Sequence, residues 1–216
     1  DSLVFDVANL IADGNVVGWF QGKMEWGPRS LGNRSILADP RDPKMQKRLN
    51  LKIKYRESFR PFAGSVIDTD TKEYFEFSGS APYMLLVANI SKSHQCSLPE
   101  NYQTLSLEER LYFIRSDVPS VTHLDYSCRL QTVHKQTNQR YWELINIFKK
   151  LTGCGMLVNT SFNVRGEPIV CTPEDAYRCF MNTEIDYLVI GNLLFAKAEQ
   201  PPFPKQNYSK NAFAYD

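Results

Sequence analysis

The spacing of apolar residues along the chain predicts several amphipathic helices. Near the N-terminus, apolar side chains recur every three or four residues, which predicts a helix that ends at Gly14. The same spacing, bounded by residues that commonly start or stop helices, predicts further helices over 43–53, 139–151 and 172–182. The polar segment 91–120 is only weakly periodic, and we expect it to be an insertion.

Short apolar or alternating runs predict strands between these helices. The predicted strands cover 16–20, 35–38, 62–67, 83–90, 129–134, 156–158, 187–190 and 193–197. The first two are joined by a glycine-rich loop over 21–34. Because strands and helices alternate irregularly, we expect an α/β fold on a twisted, mixed sheet. We expect the tail over 199–216 to be extended or poorly ordered.

The composition is that of a globular protein and limits its location. With 216 residues and 43% hydrophobic residues, the chain can bury one sizeable core. Its longest unbroken apolar run, 83–88, is far shorter than the roughly 20 residues of a membrane helix, so we expect no membrane span. The five cysteines include no C-x-x-C pair, which favours a reducing, cytoplasmic compartment. His94 and Cys96 are too few ligands for a metal site, and none is predicted.

The chain begins without Met and without a secretion signal, so we expect it to be an excised or processed piece. The net charge of +1 hides an uneven distribution of charge. Residues 23–60 carry eleven Lys and Arg against four Asp and Glu, which leaves the rest of the chain acidic. Such a basic stretch concentrates positive potential at one place, and we expect a phosphorylated ligand.

Two groups of basic residues in this stretch are candidates for anion binding. Arg29 and Arg34 lie among glycines, which let backbone N–H groups approach an anion, and a guanidinium fits phosphate or carboxylate oxygens. Lys54 and Arg56 would lie on one side of an extended segment, with Arg60 close behind. A solvated turn and a solvated helix end would explain the same residues.

Two further candidates lie on or beside predicted strands. Ser161 and Asn163 follow a buried strand, where α/β folds commonly place ligands, although a local turn would also contain such residues. Arg129 stands at the head of another strand, and an arginine in that position is also typical of a sheet edge. Neither pattern decides between a site and an ordinary surface.

Taken together, the motifs resemble those of a known family. The chain resembles, over about residues 3–198, the C-terminal domain of the NodU-type O-carbamoyltransferases, which carbamoylate nodulation factors and antibiotics. The matching motifs lie at 25–40, 54–63, 159–163, 166–169 and 172–176. This resemblance implies a YrdC-like domain over 1–198, with an open, mostly mixed sheet and flanking helices.

The resemblance also implies the site residues. In the YrdC-like fold a Lys-x-Arg pair and a Ser-x-Asn pair bind nucleotide, and this chain has both pairs. The residues expected to bind carbamoyl phosphate and the ATP phosphates are Arg29, Lys54, Arg56, Arg60, Arg129, Ser161 and Asn163. Among them, Lys54, Arg60 and Arg129 are expected to be catalytic, and Mg²⁺ would accompany the nucleotide. By the same resemblance, we expect the family's N-terminal transfer domain, which binds a metal, to lie outside this sequence.

The function implied by the resemblance is formation of carbamoyladenylate. Carbamoyl phosphate and ATP would be the substrates, and the N-terminal transfer domain of the same protein would pass the carbamoyl group to a hydroxyl acceptor. A threonylcarbamoyl-adenylate synthase would share the fold, and the basic stretch could instead belong to an RNA-binding module. The acidic remainder of the chain and the scarcity of aromatic residues over 41–60 argue against nucleic acid.

Overall fold

A computed structural model describes residues 2–204 of the chain. The strands are β1 (Val17–Phe20), β2 (Arg34–Ala38), β3 (Ala63–Ile67), β4 (Leu86–Asn89), β5 (Ser127–Val133), β6 (Met156–Ser161), β7 (Tyr187–Ile190) and β8 (Leu193–Ala196). The α-helices are α1 (Ser2–Ala12), α2 (Met45–Arg48), α3 (Thr71–Tyr74), α4 (Leu107–Tyr112), α5 (Gln139–Thr152) and α6 (Pro173–Asn182). The predicted tail falls mostly at 205–216, outside the described residues.

The strands form one sheet in the order β4-β5-β3-β6-β2-β1-β7-β8. β3 runs parallel to β5 and β1 runs parallel to β7, while the other neighbouring strands are antiparallel. The predicted α/β fold with an open, mixed sheet and flanking helices is therefore confirmed. The loop over 21–33 joins the antiparallel pair β1 and β2, as the sequence predicts.

The long helices begin and end where the sequence predicts. Asn138 caps α5 by accepting a hydrogen bond from the backbone N–H of Tyr141, and Gly153 ends this helix with a φ of 80°. Thr172 caps α6, and Pro173 occupies its first turn. α1 packs against α5 through a buried apolar face, so both helices cover the sheet.

The central strands bring distant parts of the chain to one place. β3 lies between β5 and β6, and its first residue, Ala63, pairs with Arg129 on one side and Asn159 on the other. The start of β3, the start of β5 and the end of β6 therefore lie side by side. Arg129 lies inside β5, two residues after its start, and Ser161 is the last residue of β6.

The backbone around Lys54 differs from the prediction. α2 continues into a π-helical turn, Leu49–Ile53, and Lys54 keeps a right-handed helical conformation. Tyr55 then has a φ of 49°, in the left-handed region. The segment is therefore not extended, and the prediction that alternation places Lys54 and Arg56 on one side is wrong. The reason is that apolar residues continue at helical spacing as far as Ile53, which is buried. The chain therefore stays helical up to Lys54.

One predicted strand is shorter in the structure, and the segment predicted to be an insertion lies outside the sheet. The strand predicted over 83–90 is limited to β4, because Met84 has a φ of 55° that interrupts the extended backbone. The segment 91–120 contributes no strand to the sheet within residues 2–204 and contains α4 and short 3₁₀ turns. No helix over 2–204 has the length and apolar character needed to cross a membrane.

Candidate functional site

Most of the predicted site residues line one cavity. Its volume is about 230 Å³, and five of the seven predicted residues contribute to its wall. The lining residues are Arg29, Ser30, Arg56, Arg60, Pro61, Met84, Arg129, Thr160 and Ser161. Four guanidinium groups thus surround a space smaller than a typical pocket for a drug-sized ligand, which is about 300–1,000 Å³. A small polyanion, or the phosphate portion of a larger ligand, matches both its size and its charge.

The cavity collects arginines from three separate parts of the chain. Arg29 comes from the loop between β1 and β2, Arg56 and Arg60 come from the segment before β3, and Arg129 comes from β5. The register of the sheet explains the convergence, because the chain enters β3 just after Arg60 and Ala63 lies beside Arg129. The sequence separates these side chains by up to 100 positions, and strand pairing unites them.

Burial and mutual repulsion lower the pKa values of two arginines in the cavity. Burial, and then the charges of Arg60 and Arg129, lower the pKa of Arg56 to about 10. Burial and then the charge of Arg29 also lower the pKa of Arg129. Within residues 2–204, the Nε atoms of Arg29 and Arg129 are buried and have no hydrogen-bond partner. Such a group of unsatisfied cationic donors favours the binding of an anion.

One carboxylate lies close to these arginines. Glu57 forms an ion pair of 3.0 Å with Arg60 and one of 3.2 Å with Arg165. The three side chains are 36–45% exposed, and ion pairs at such partly solvated positions contribute little to stability. Arg34, the other arginine of the glycine-rich loop, has a structural role, because its Nη1 donates to the carbonyl of Gln21 over 2.7 Å.

Lys54 and Asn163 lie behind the cavity wall instead of lining it. The ammonium of Lys54 is buried, and it donates to Asn163 Oδ1 over 2.8 Å, to Asn163 O over 3.0 Å and to Ser161 Oγ over 3.2 Å, as well as to Ser161 O. The two sequence pairs, Lys-x-Arg and Ser-x-Asn, are therefore in direct contact. Burial and then the charge of Arg56 lower the pKa of Lys54 to about 7.

Asn50 is a residue of the site that sequence reasoning missed. It is fully buried, and its Nδ2 donates to the carbonyls of Ser58, over 3.1 Å, and Arg60, over 2.8 Å. Its Oδ1 accepts a hydrogen bond of 2.7 Å from Arg56 Nε. One amide thus fixes both ends of the segment that carries two cavity arginines. The one feature of the sequence that could have indicated this role is that Asn50 lies beside Leu49, on the buried side of the helical run.

A buried polar network inside the sheet holds the loop that carries Arg29. Gln131 Oε1 accepts from Ser65 Oγ over 2.6 Å and from Asn159 Nδ2 over 2.9 Å. Gln131 Nε2 then donates to the carbonyl of Leu31 over 2.8 Å, and Asn159 Nδ2 donates to that of Ser30 over 3.2 Å. Gln131 on β5 and Asn159 on β6 therefore bind the loop backbone, and Ser65 on β3 binds Gln131. Sequence reasoning missed this role because the three strands are adjacent only in the sheet.

Two further contacts fix the shape of this loop. Glu25 Oε1 accepts hydrogen bonds from the backbone N–H groups of Leu31, over 2.8 Å, and Asn33, over 2.6 Å. Gly32 has a φ of 114° and lies so close to Tyr141 that a Cβ would come within 2.3 Å of its ring. Glycine is therefore required at this position for both conformation and space.

The whole domain is similar to a known protein family. Residues 8–197 match the family model described as "Carbamoyltransferase C-terminus". The chain belongs to the carbamoyltransferase C-terminal domain family. An uncharacterized protein of Synechocystis sp. is 54% identical to this domain over 216 residues, which are 100% of the chain and 35% of that protein.

Two other relatives have informative names: one is a nodulation protein and one is a carbamoyltransferase. The nodulation protein NolNO of Sinorhizobium fredii is 43% identical over 94% of the chain and 27% of its own length. The 3'-hydroxymethylcephem-O-carbamoyltransferase of Amycolatopsis lactamdurans is 32% identical over 90% of the chain and 30% of its own length. The carbamoyltransferase domain therefore spans about a third of the length of the relatives it matches.

Solved structures confirm the fold predicted from the resemblance. Sua5 of P. abyssi, solved with L-threonine, superposes with a TM-score of 0.53 at 14% identity, over 87% of this chain and 46% of its own. Full-length HypF, solved in a phosphate- and nucleotide-bound form, gives a TM-score of 0.52 at 15% identity, over 89% of this chain and 21% of its own. The carbamoyltransferase domain thus has the YrdC-like fold.

Proposed function

We propose that this domain forms carbamoyladenylate from carbamoyl phosphate and ATP. The observation that carries the proposal is the cavity in which Arg29, Arg56, Arg60 and Arg129 converge beside Ser161. Carbamoyl phosphate and the ATP phosphates are anions, and guanidinium groups bind such oxygens through paired hydrogen bonds. Family membership supplies the carbamoyl chemistry, and the cavity supplies the charge that this chemistry requires.

The proposed reaction has two steps. Water first replaces phosphate on the carbamoyl carbon of carbamoyl phosphate, which releases inorganic phosphate and leaves carbamate. A carbamate oxygen then attacks the α-phosphorus of ATP, and the bond to pyrophosphate breaks. In both steps negative charge develops on phosphate oxygens of the leaving group. The domain would therefore act mainly by positioning the substrates and by stabilising this charge electrostatically.

The residues divide this work according to where they lie. We assign Arg29, Arg60 and Arg129 to the carbamoyl phosphate side and Arg56 to the nucleotide phosphates. Ser161 Oγ lies at the cavity wall and would orient the carbamate or the nucleotide. The residue pair behind the wall, Lys54 and Asn163, would act by holding the backbone at Ser161 in place. This differs from the expectation that Lys54 itself contacts phosphate.

Mg²⁺ would enter this site with the nucleotide. The described lining residues of the cavity provide hydroxyl and guanidinium groups but no carboxylate. Because Mg²⁺ takes oxygen ligands and is commonly bound through carboxylates and substrate phosphates, these residues do not fit a protein site for Mg²⁺. The metal would instead sit on phosphate oxygens that the arginines leave free.

The acceptor and the transfer step belong to the remainder of the full-length protein. The matched region is 27% and 30% of the two named relatives, and one of them is by its name a carbamoyltransferase that acts on a hydroxymethyl group. We therefore propose that an N-terminal domain passes the carbamoyl group to a hydroxyl acceptor. The cytoplasm remains the predicted location.

The basic stretch does not form an open surface of the kind that RNA binds. Lys54 and Arg34 are buried with internal partners. Other cations of the stretch form ion pairs within the domain, namely Arg41 with Asp39, Arg48 with Asp186 and Lys52 with Glu184. Arg29, Arg56 and Arg60 line the cavity, which is too small for a nucleic acid helix, and the other cations of the stretch, Lys23, Lys44 and Lys47, are exposed outside it.

Exchange of labelled pyrophosphate into ATP tests the proposal directly. The 216-residue chain should catalyse this exchange when carbamoyl phosphate is present, because the adenylation step is reversible. Arg129→Ala should lower the exchange rate about 10²–10³-fold, the usual effect of losing one preorganised electrostatic contact. Arg178→Ala is the matched control, since this exposed arginine pairs with Asp175 outside the cavity.

The choice of substrates distinguishes the alternatives. Exchange supported by threonine and bicarbonate, but not by carbamoyl phosphate, would make the domain a threonylcarbamoyl-adenylate synthase. Exchange that responds equally to Arg129→Ala and Arg178→Ala would remove the cavity from the mechanism. Transfer of a carbamoyl group to an alcohol by this chain alone would contradict the proposed division between two domains.

A further inference from the structure

A second cluster of reactive side chains lies at the opposite end of the central strands from the arginine cavity. Asp68 directly follows β3, and His134 directly follows β5. These strands are parallel neighbours, so their carboxyl ends meet at one edge of the sheet. That edge is where α/β folds commonly place functional residues. Ser80, in the segment before β4, reaches the same place.

The three side chains have the geometry of a nucleophilic triad. Ser80 Oγ lies 2.8 Å from His134 Nε2, and His134 Nδ1 lies 3.2 Å from Asp68 Oδ2. The Ser80–His134 contact is a hydrogen bond, and the Asp68 carboxylate lies within ion-pair distance of the other ring nitrogen, so the three groups stand in the order of nucleophile, base and orienting carboxylate. The indole N–H of Trp142 donates to Asp68 Oδ1 over 3.2 Å, which fixes the carboxylate from the other side.

The backbone around Ser80 is anchored to the strand that carries the histidine. The N–H of Ala81 donates to Thr132 Oγ1 over 2.8 Å, and the N–H of Thr132 donates to the carbonyl of Ala81 over 3.1 Å. Thr132 Oγ1 also lies 3.3 Å from His134 Nε2. The segment that carries the serine is therefore hydrogen-bonded to the strand that leads to the histidine, and such support helps to preorganise a site.

We propose that Ser80 is a nucleophile activated by His134 and Asp68, and that it takes an acyl group from small activated esters. Ser80 Oγ attacks the acyl carbon while its proton passes to His134 Nε2. The bond from the acyl carbon to the leaving oxygen then breaks, and that oxygen receives the proton from His134. Water repeats the two steps on the acyl-serine and releases the acid.

The surroundings of Ser80 define the class of substrate. Ser80 is exposed, so an ester can reach it from solvent without a conformational change. Within residues 2–204, the backbone N–H groups of Gly79 and Ser80 have no hydrogen-bond acceptor. Because the site is open, it would favour small acyl groups on good leaving groups, such as aryl acetates.

Labelling with a small fluorophosphonate tests whether Ser80 is activated. The 216-residue chain should acquire one phosphonyl adduct, and peptide mapping should locate it at Ser80. Ser80→Ala should abolish the adduct, and Ser78→Ala, in the same exposed segment, should leave it unchanged. His134→Gln should slow labelling by about 10²-fold or more, because it removes the general base. Asp68→Asn, which keeps an acceptor for Trp142, should slow it as well.

Release of nitrophenol from p-nitrophenyl acetate gives a second readout with the same variants. An initial burst that disappears in Ser80→Ala and persists in Ser78→Ala would support an acyl-serine intermediate. Labelling spread over several exposed serines, labelling of Ser80 at the same rate in His134→Gln, or the absence of any adduct would overturn the proposal. Arg178→Ala, at an exposed position on α6 outside both sites, should label at the native rate.

Discussion

At the scale of single residues, the position of Lys54 determines what this lysine can do. Its ammonium is buried among oxygens of Ser161 and Asn163, and burial lowers its pKa from an ordinary value of 10.5 to about 7. Between these two values the folded chain releases a proton that the unfolded chain retains. By linkage, folding stability then rises with pH across this interval, since the unfolded state binds more protons.

The variant Lys54→Met makes this contribution measurable. The free energy of unfolding of the native chain, relative to that of Lys54→Met, should rise by about 2–3 kcal/mol between pH 7.5 and pH 9.5, because each pH unit contributes up to about 1.4 kcal/mol. Urea unfolding at the two pH values measures it. Lys52→Met is the control, since Lys52 is exposed and pairs with Glu184. Parallel pH profiles for native chain and Lys54→Met would refute the lowered pKa.

At the scale of elements, the segment from Lys54 to Arg60 has no regular structure, and Asn50 replaces the missing backbone pairing. The amide of Asn50 holds the carbonyls of Ser58 and Arg60 and the guanidinium of Arg56. The π-helical turn Leu49–Ile53 places Asn50 on the buried side of the chain, facing these groups. A single side chain therefore determines the spacing of two arginines in the cavity.

Replacing this amide should affect both stability and activity. Asn50→Ala should cost about 1–3 kcal/mol, the penalty of leaving buried polar groups without partners. It should also lower carbamoyl phosphate-dependent pyrophosphate exchange at temperatures where the variant is fully folded, because Arg56 and Arg60 lose their positions. Urea unfolding and the exchange assay measure the two effects separately.

The matched control is Asn15→Ala. The Nδ2 of Asn15 donates to the carbonyl of Leu10 over 2.9 Å at the end of α1, away from the cavity. This variant should lose stability and keep its exchange rate. If Asn50→Ala also keeps the native rate once it is folded, Asn50 stabilises the fold without positioning the arginines.

At the scale of the whole molecule, the sheet forces four guanidinium groups together before any ligand is present. Their mutual repulsion opposes folding, and an anion bound between them removes this cost. Inorganic phosphate should therefore raise the melting temperature, since a ligand of the native state stabilises it by RT ln(1 + [L]/Kd). Arg129→Ala should show a smaller shift with phosphate and no loss of stability without it, because one repulsive charge is gone.

Thermal unfolding in phosphate and in chloride at equal ionic strength separates binding from screening. A shift that is equal in the two salts, or equal in the native chain and Arg129→Ala, would mean that the arginines form no common anion site. Arg178→Ala should respond to phosphate as the native chain does, since this arginine lies on α6 outside the cavity.

The sequence predicts most elements of this fold because their signals are local. The cap at Thr172, the stop at Gly153 and the apolar runs of β3 and β6 each depend on a few neighbouring residues. The motif resemblance likewise identifies the family and the seven candidate residues, five of which line the cavity. The helices and strands can be predicted from the sequence because secondary-structure propensity and helix capping depend on residues within one or two turns.

What only the tertiary structure decided is how these residues meet. Pairing of β3 with both β5 and β6 brings Arg60, Arg129 and Ser161 together, and no local pattern encodes that register. The same packing turns Lys54 inward onto Ser161 and Asn163, where a strand-like alternation would have exposed it beside Arg56. The physical reason is that strand pairing and the burial of a charge depend on partners more than 60 positions away, whereas propensity and spacing concern only neighbours along the chain.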